Sequence, residues 1–428
     1  MKSTKPRSLP AGGVVVNRWL HGVLCLFLIL VGFPSGCSQN LPPADFSGKT
    51  PIVRVLILQN QSSVTINASE PPSVRSVSEV TIRRVELPEA TPIQLTRTPQ
   101  GWQLGAVTLE DKDFTLIPAV EGSVSINGHA YRGRYHFVAR AGGMFDVVND
   151  VDVEGYLKGV VAREMLPNFA PEAYKAQAVV ARTYALYQSQ MKSPGSRFDL
   201  YGDDRDQVYG GISSESAKSR EAVEQTHGMV VVYGPPNQEK IFKAYFSSCC
   251  GGIGQSAADA FGDPPSVPLS AQAVGTLCSE SPRYSWPTIT LTKTELTRRL
   301  KLYGQKHNRP EKDMAPLNRL DIAAMNTLGR PVKFVATDAH GRRYNYTGEE
   351  IRNAVNTDIP ANMPHTKLFS SLFQLQNDAA TVSFTNGHGL GHGVGMCQWC
   401  AQRRAEMGLK FTEIVLDSYP QSKMVTAY

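Results

Sequence analysis

The sequence predicts an α+β fold in which a β-rich N-terminal part packs with a helical core and a smaller α/β portion. Three observations predict it. Residues 51–150 alternate apolar and polar residues in short runs punctuated by Gly, Asn and Asp, the pattern of strands and turns. Residues 153–190 carry apolar residues at helical spacing, interrupted at Pro167 and Pro171. Residues 287–380 mix the two periods.

The N-terminal stretch is basic, and residues 22–33 (GVLCLFLILVGF) form an apolar run too short for a comfortable membrane span. Small residues then precede Cys37. This pattern resembles the lipobox of bacterial lipoproteins, with Pro34 where leucine is usual. Residues 1–36 are therefore expected to be a cleaved signal. Residues 37–50 are read as a proline-bearing tether, lipidated at Cys37. The expected location is outside the cytoplasm, in the periplasm or cell envelope, held to the membrane by the lipid. The formal charge is +6, but Lys2, Lys5, Arg7 and Arg18 precede Cys37 and no acid does. Removing those four cations leaves about +2, which gives no case for nucleic acid as a partner.

Residues 51–58 (PIVRVLIL) read as the first strand, and short strands follow to FDVVNDV near residue 151. A helix is expected over about Glu154–Arg163. Proline then breaks the period, because it lacks an N–H and disfavours helix in the residue before it. A second helix starts near Pro171, where a first-turn proline is tolerated and Glu172 complements the dipole, and runs to about Gln190. Glu164 falls at the first helix's C-terminal end. Carbonyl dipoles there disfavour a carboxylate and should raise its pKa, which suits a general acid. Lys175 and Arg182, seven apart, share one face of the second helix with Ala178 and Val179 between them. The plain alternative is a surface glutamate and two snorkelling cations.

These two helices carry a resemblance. Tyr156, Leu157, Gly159, Val160, Val161, Glu164 and Met165, followed by Glu172, Ala173, Lys175, Ala176, Gln177, Ala178, Val179 and Ala181–Ala185, look like the SpoIID/LytB family of bacterial cell-wall proteins. The resemblance implies a lytic transglycosylase that cleaves peptidoglycan glycan stripped of its stem peptides. Glu164 would be the catalytic acid, and Lys175, Gln177 and Arg182 substrate-binding residues. It also covers the flanks. NGHAYRGRYHFV and FDVVNDV resemble the family's lead-in strands, so the β-rich part is not expected to be independent of the catalytic core, residues 151–286.

Downstream, Gln207, Tyr209 and Gly211 match the family's QxYxG segment, and Tyr245, Ser247, Gly251 and Gly252 its AYxSxSGG segment. The acids at 203, 204 and 206 suit a solvated or substrate-facing loop better than calcium, since the spacing of an EF-hand is missing. Residues 287–380 match the order of the family's smaller portion at Gly329, Arg330, Gly348, Arg352 and Ser370 or Ser371. Residues 381–428, a Gly/His-rich loop and a C-terminal helix, should complete the core. There GHGLGHGVGMCQ resembles GxGxGHGVGMSQ, so His392 and Gln398 join Gln207, Tyr245 and Ser247 as expected substrate contacts. His388 and His392 have the spacing of a zinc helix, but the glycines argue for a loop instead.

Five cysteines follow the leader: Cys249, Cys250, Cys278, Cys397 and Cys400. An exported location allows disulfides, and the odd count leaves one over. Cys250 with Cys278 is the first expected pair. The resemblance leaves a structural zinc open at Cys250, Cys278, Cys397 and Cys400, with His388 as a further candidate ligand, and implies no required cofactor. The expected partner is the glycan strand itself. A second reading of the family is a non-catalytic amidase enhancer, with a cell-wall amidase as partner. A zinc hydrolase on His388 and His392, and a thiol oxidoreductase on Cys397 and Cys400, are weaker alternatives. No thioredoxin-like pattern surrounds the cysteine pair.

Overall fold

The computed structural model describes residues 48–76, 82–84, 92–119 and 123–428 of the chain, with backbone alone for 82–84. The expected signal and Cys37 lie outside the described residues, as do most of the tether and of segment 77–91. Among the described residues no helix is long and apolar enough to cross a membrane.

Alternation in the first hundred described residues builds two sheets. One has seven strands, with Ile52–Gln61 paired antiparallel to Phe145–Asp152 and parallel to Leu200–Tyr201. The other has six short strands between residues 63 and 130. Their inward side chains meet around Trp102, whose ring packs edge-on against Phe114 and Phe145. Val53, Val55 and Val151 of the seven-stranded sheet pack instead with the helical core. The β-rich part therefore shares its sheet with the rest of the chain, as expected.

Strand Phe145–Asp152 runs directly into α1 (Val153–Glu164), and Asp152 caps it by accepting from Gly155 N–H. After the proline break comes α2 (Pro171–Met191), with the expected proline in its first turn. Ala173, Ala176, Val179 and Val180 of α2 pack in one core with Tyr156, Leu157 and Val160 of α1. Alanines let the two helices approach closely. Helix α3 (Ala217–Gln225) has Ser216 as its cap and lies against both.

The second core belongs to the smaller α/β portion. It is built on α5 (Lys293–His307), α6 (Gly348–Val355), a three-stranded sheet and a second sheet that includes Thr381–His388. The expected hairpin is present: Asp338 accepts from the N–H groups of His340 and Arg342 in the turn. One boundary differs. Strand Thr381–His388 pairs with Ile289–Thr292 and Leu372–Asn377, so it belongs to this portion and not to the core. Val382 and Phe384 are buried there, and that packing decides where the strand goes. The short helix α4 (Ala257–Phe261) bridges the two portions by contacting α6. Two helices close the chain, α7 (Gln398–Glu406) and α8 (Phe411–Ser418), separated at Gly408 with its positive φ. Strand Lys423–Thr426 then pairs with Met229–Tyr233 of the core.

Candidate active site

Glu164 is the last residue of α1, where the helix-end argument placed it. It stands in the wall of a cleft of about 800 Å³ that runs between the core and α6 of the smaller portion. Its Oε1 accepts from Val208 N–H at 2.9 Å, and Gln398 hydrogen-bonds the same carboxyl. The carboxyl is half-buried, and burial pushes its pKa up against those two hydrogen bonds. The dipole argument reached the right direction, but desolvation is the larger cause.

Close packing sets this geometry. A Cβ at Gly159 of α1 would stand 2.9 Å from the Tyr209 ring and 3.0 Å from Gly211 O, so only glycine lets the 207–211 loop lie against the helix. That loop delivers the Val208 N–H. Gln207, expected to touch substrate, is buried and holds the loop. It accepts from Tyr156 Oη at 3.2 Å and donates to Ala181 O at 3.4 Å. Gln398 and Gln177 act in series behind Glu164, with Gln398 Nε2 donating to Gln177 Oε1 at 3.4 Å. Both glutamines are buried, so they position the carboxyl rather than face the opening.

Beyond these three glutamines, two more expected substrate contacts, Arg182 and Lys175, do not reach the cleft. Arg182 is fully buried and forms a bidentate pair with Glu154, at 2.8 and 2.7 Å, while also donating to the carbonyls of Met229 and Val223. Tyr428 Oη donates to the same glutamate, whose pKa is lowered by its Arg182 and Tyr428 partners despite burial. Arg182 therefore ties α2 to α1 and to the C-terminus. Lys175 pairs with Glu172 at 2.7 Å on the outer face of α2. Seven-residue spacing placed both on one helix stripe, but that stripe does not border the opening. Arg182→Met should cost about 3–5 kcal/mol by leaving Glu154 buried without its partner. A thermal melt checks this. An unchanged melting temperature with lost glycan affinity would instead mark Arg182 as a substrate contact.

Tyr245, Ser247 and His392 do line the cleft. Tyr245 Oη donates to Asp263 at 2.8 Å, and Ser247 Oγ accepts from Gly393 N–H at 3.2 Å. His392 Nδ1 accepts from Val394 N–H at 3.0 Å, and the ring also hydrogen-bonds the Phe246 backbone. Burial lowers its pKa to about 4, so it is a neutral, fixed imidazole at ordinary pH. The glycine-rich segment is not helical, as its composition implied. A Cβ at Gly389 would stand 2.8 Å from Cys249 O, so glycine is what lets the segment pass the Cys249 backbone, where Leu390 and Cys249 form an isolated antiparallel bridge.

Sequence reasoning missed several cleft residues. Phe261 at the end of α4 is 39% exposed and stacks on Tyr245 at 4.6 Å between centroids. Lys243, Glu349 and Arg352 also line the opening. Lys243 reaches the cleft because the chain turns at this point, with Tyr245 N–H donating to Lys243 O at 2.8 Å, and no periodicity announces that turn. Phe261 and Glu349 carried no signal either, since their place depends on how the smaller portion docks.

The cysteines converge from three segments. The sulfurs of Cys250, Cys278, Cys397 and Cys400 all lie within 4.8 Å of one another and are buried. Cys250 Sγ is 3.7 Å from Cys278 Sγ and 4.0 Å from Cys400 Sγ. The pair expected to be a disulfide is thus two corners of a four-thiol cluster, and all five cysteines are free. A tetrahedral metal with bonds of about 2.3 Å to sulfur spaces its ligands by about 3.8 Å, so the quartet fits such a site. Cys397 is the N-cap residue of α7 and Cys400 lies in its first turn, so the start of this helix carries two corners of the quartet. Cys249 stays outside the quartet and donates to Cys278 O at 3.8 Å. His388 is elsewhere, with Nδ1 against Tyr284 O at 3.0 Å, so neither a His388–His392 pair nor a fifth ligand forms.

The cleft thus sets a carboxyl of raised pKa and a neutral imidazole beside the aromatic faces of Tyr245 and Phe261. Residues 141–233 match the family model of SpoIID, described as stage II sporulation protein. An uncharacterised protein of Brachyspira hyodysenteriae is 29% identical over 300 residues, covering 70% of this chain and 73% of that protein. The stage II sporulation protein D of Bacillus subtilis is 28% identical over 65% of this chain and 76% of its own length. The amidase enhancer of the same organism is 26% identical over 63% of this chain, but the match spans only 40% of that protein.

Proposed function

We propose that the protein is a lytic transglycosylase acting on peptide-stripped peptidoglycan glycan. The observation that carries this reading is Glu164, a half-buried carboxyl of raised pKa that opens into a polymer-sized cleft. In this reaction the C6 hydroxyl of N-acetylmuramic acid attacks its own anomeric carbon. The bond to the oxygen of the next N-acetylglucosamine breaks, and a 1,6-anhydro ring forms. Protonated Glu164 gives its proton to the leaving oxygen, and the resulting carboxylate takes the proton of the C6 hydroxyl. Ordinary glycosidases need a second carboxylate to activate water. Of the four other acids in the lining, Asp206 accepts from Tyr184, Gln188 and the Tyr201 N–H, Glu349 is held by Arg352, and Glu350 by Arg309 and the Thr347 N–H, while Asp204 is exposed to solvent. Val208 and Gln398 fix the orientation of the acid, and the faces of Phe261 and Tyr245 suit the apolar side of a sugar ring. Incubation of stripped glycan with the protein and with Glu164→Gln tests the reading. Anhydro-muramic products from the first alone are expected, and none from either would overturn it.

The enhancer reading rests on the name of one relative. It predicts no products from glycan alone and faster release of peptide when a cell-wall amidase is present.

The cysteine quartet supports a structural zinc, held by Cys250, Cys278, Cys397 and Cys400. The ion would fix the strand carrying Ser247 and the start of α7 carrying Gln398, and it would take no part in the reaction.

Export and tethering through Cys37 are proposed on the sequence pattern alone. Metabolic labelling with a palmitate analogue should mark the wild type and spare Cys37→Ser. Unlabelled wild-type protein in the soluble fraction would contradict it.

A further inference from the structure

We propose that Lys243 binds a carboxylate of the glycan, the free lactyl acid of a muramic residue without its peptide, and that this contact selects stripped strands. The proposal rests on the glycan reading above. Lys243 lies in the cleft wall with its ammonium over the Tyr245 ring, 4.8 Å from the centroid, and 5.7 Å from the centroid of Tyr184. The two other cations of the lining are already paired. Arg205 holds Asp203 at 2.6 Å, and Arg352 holds Glu349. Lys243 forms no ion pair among the described residues. Its acidic neighbours, Asp263 and Asp206, are engaged by the hydroxyls of Tyr245 at 2.8 Å and Tyr184 at 2.7 Å. Burial lowers the Lys243 pKa, so its charge is desolvated with incomplete compensation. A substrate carboxylate would supply the missing partner.

The rest of the lining sharpens the choice. Five carboxyl groups, those of Glu164, Asp204, Asp206, Glu349 and Glu350, face three cations, so the cleft has no general attraction for anions. Recognition of an acid there must be local. When a stem peptide is attached, the lactyl carboxyl is an amide and cannot pair with Lys243. The acids of the peptide would in addition meet the acidic wall. Attraction and repulsion then discriminate in the same direction.

Binding to the inactive Glu164→Gln variant separates this from the reaction. Three probes are used: stripped glycan, the same glycan with its lactyl acids converted to methylamides, and a chitooligosaccharide of equal length. The free acid should bind about tenfold tighter than the methylamide, the ratio expected of one charge-assisted contact. Adding Lys243→Gln should bring that ratio close to one, while Lys243→Arg should keep it above threefold. Thermal melts confirm that each variant is folded. An unchanged ratio in the Lys243→Gln background, or no preference in its parent, overturns the proposal. Preference without cleavage by the wild-type protein would overturn the reaction alone and leave the Lys243 contact supported.

Discussion

Glu164→Gln abolishes glycan cleavage and leaves a folded, glycan-binding protein. The expected loss is on the order of 10²–10⁴-fold, the range for removal of a general acid. The amide keeps the shape of the side chain and can still accept from Val208 N–H, so the 207–211 loop has no reason to move. Stability should change in a direction that a structural role would not give. Burial raises the folded-state pKa of Glu164 above its ordinary 4.5. The folded state therefore holds this proton to higher pH than the unfolded chain does. Wild-type stability is full below about 4.5 and falls as pH rises through the folded pKa. The uncharged variant lacks that loss. Melting temperatures measured across pH should coincide near pH 4 and diverge in favour of Glu164→Gln near pH 8. Equal activity of the variant, or a variant less stable at pH 8, would contradict the assignment.

The second large effect lies in the cysteines. Cys278→Ser should remove one zinc per chain and lower stability by several kcal/mol, because binding to four thiolates contributes directly to folding. Cys249→Ser is the control and should keep the metal, since its sulfur lies outside the quartet. Glycan affinity should fall with the metal, for two reasons. Gln398, which supports Glu164, follows Cys397 directly. Arg330 donates both to Cys250 O at 3.1 Å and to His392 O at 3.4 Å, which links the cluster to the cleft. Metal analysis with thiol counting in denaturant decides the matter. Two disulfides, one free thiol and no metal would overturn the zinc assignment.

Local pattern carried much of this architecture, and the misses share one cause. Proline placement and helical spacing located α1 and α2 to within a residue or two, because those signals act over one or two turns. The position of Glu164 followed from the same local reading. Arg182 and Lys175 could not be read that way. Periodicity says which residues share a stripe, but not whether the stripe meets Glu154 or the glycan. Strand Thr381–His388 was assigned to the wrong side of a boundary for the same reason, since its partners are about ninety residues earlier as well as adjacent in sequence. The cysteine quartet needed three distant segments to be placed before four thiols could be counted together.

The most direct test of the central claim is the fate of water. Stripped glycan is digested in ¹⁸O-labelled water and the fragments are weighed. Intramolecular attack by the muramic C6 hydroxyl predicts fragments that end in anhydro-muramic acid, lighter by one water than hydrolysed ends and free of the heavy oxygen. Fragments with ordinary reducing ends that carry the label would show that water is the nucleophile, and the transglycosylase account of Glu164 would be contradicted.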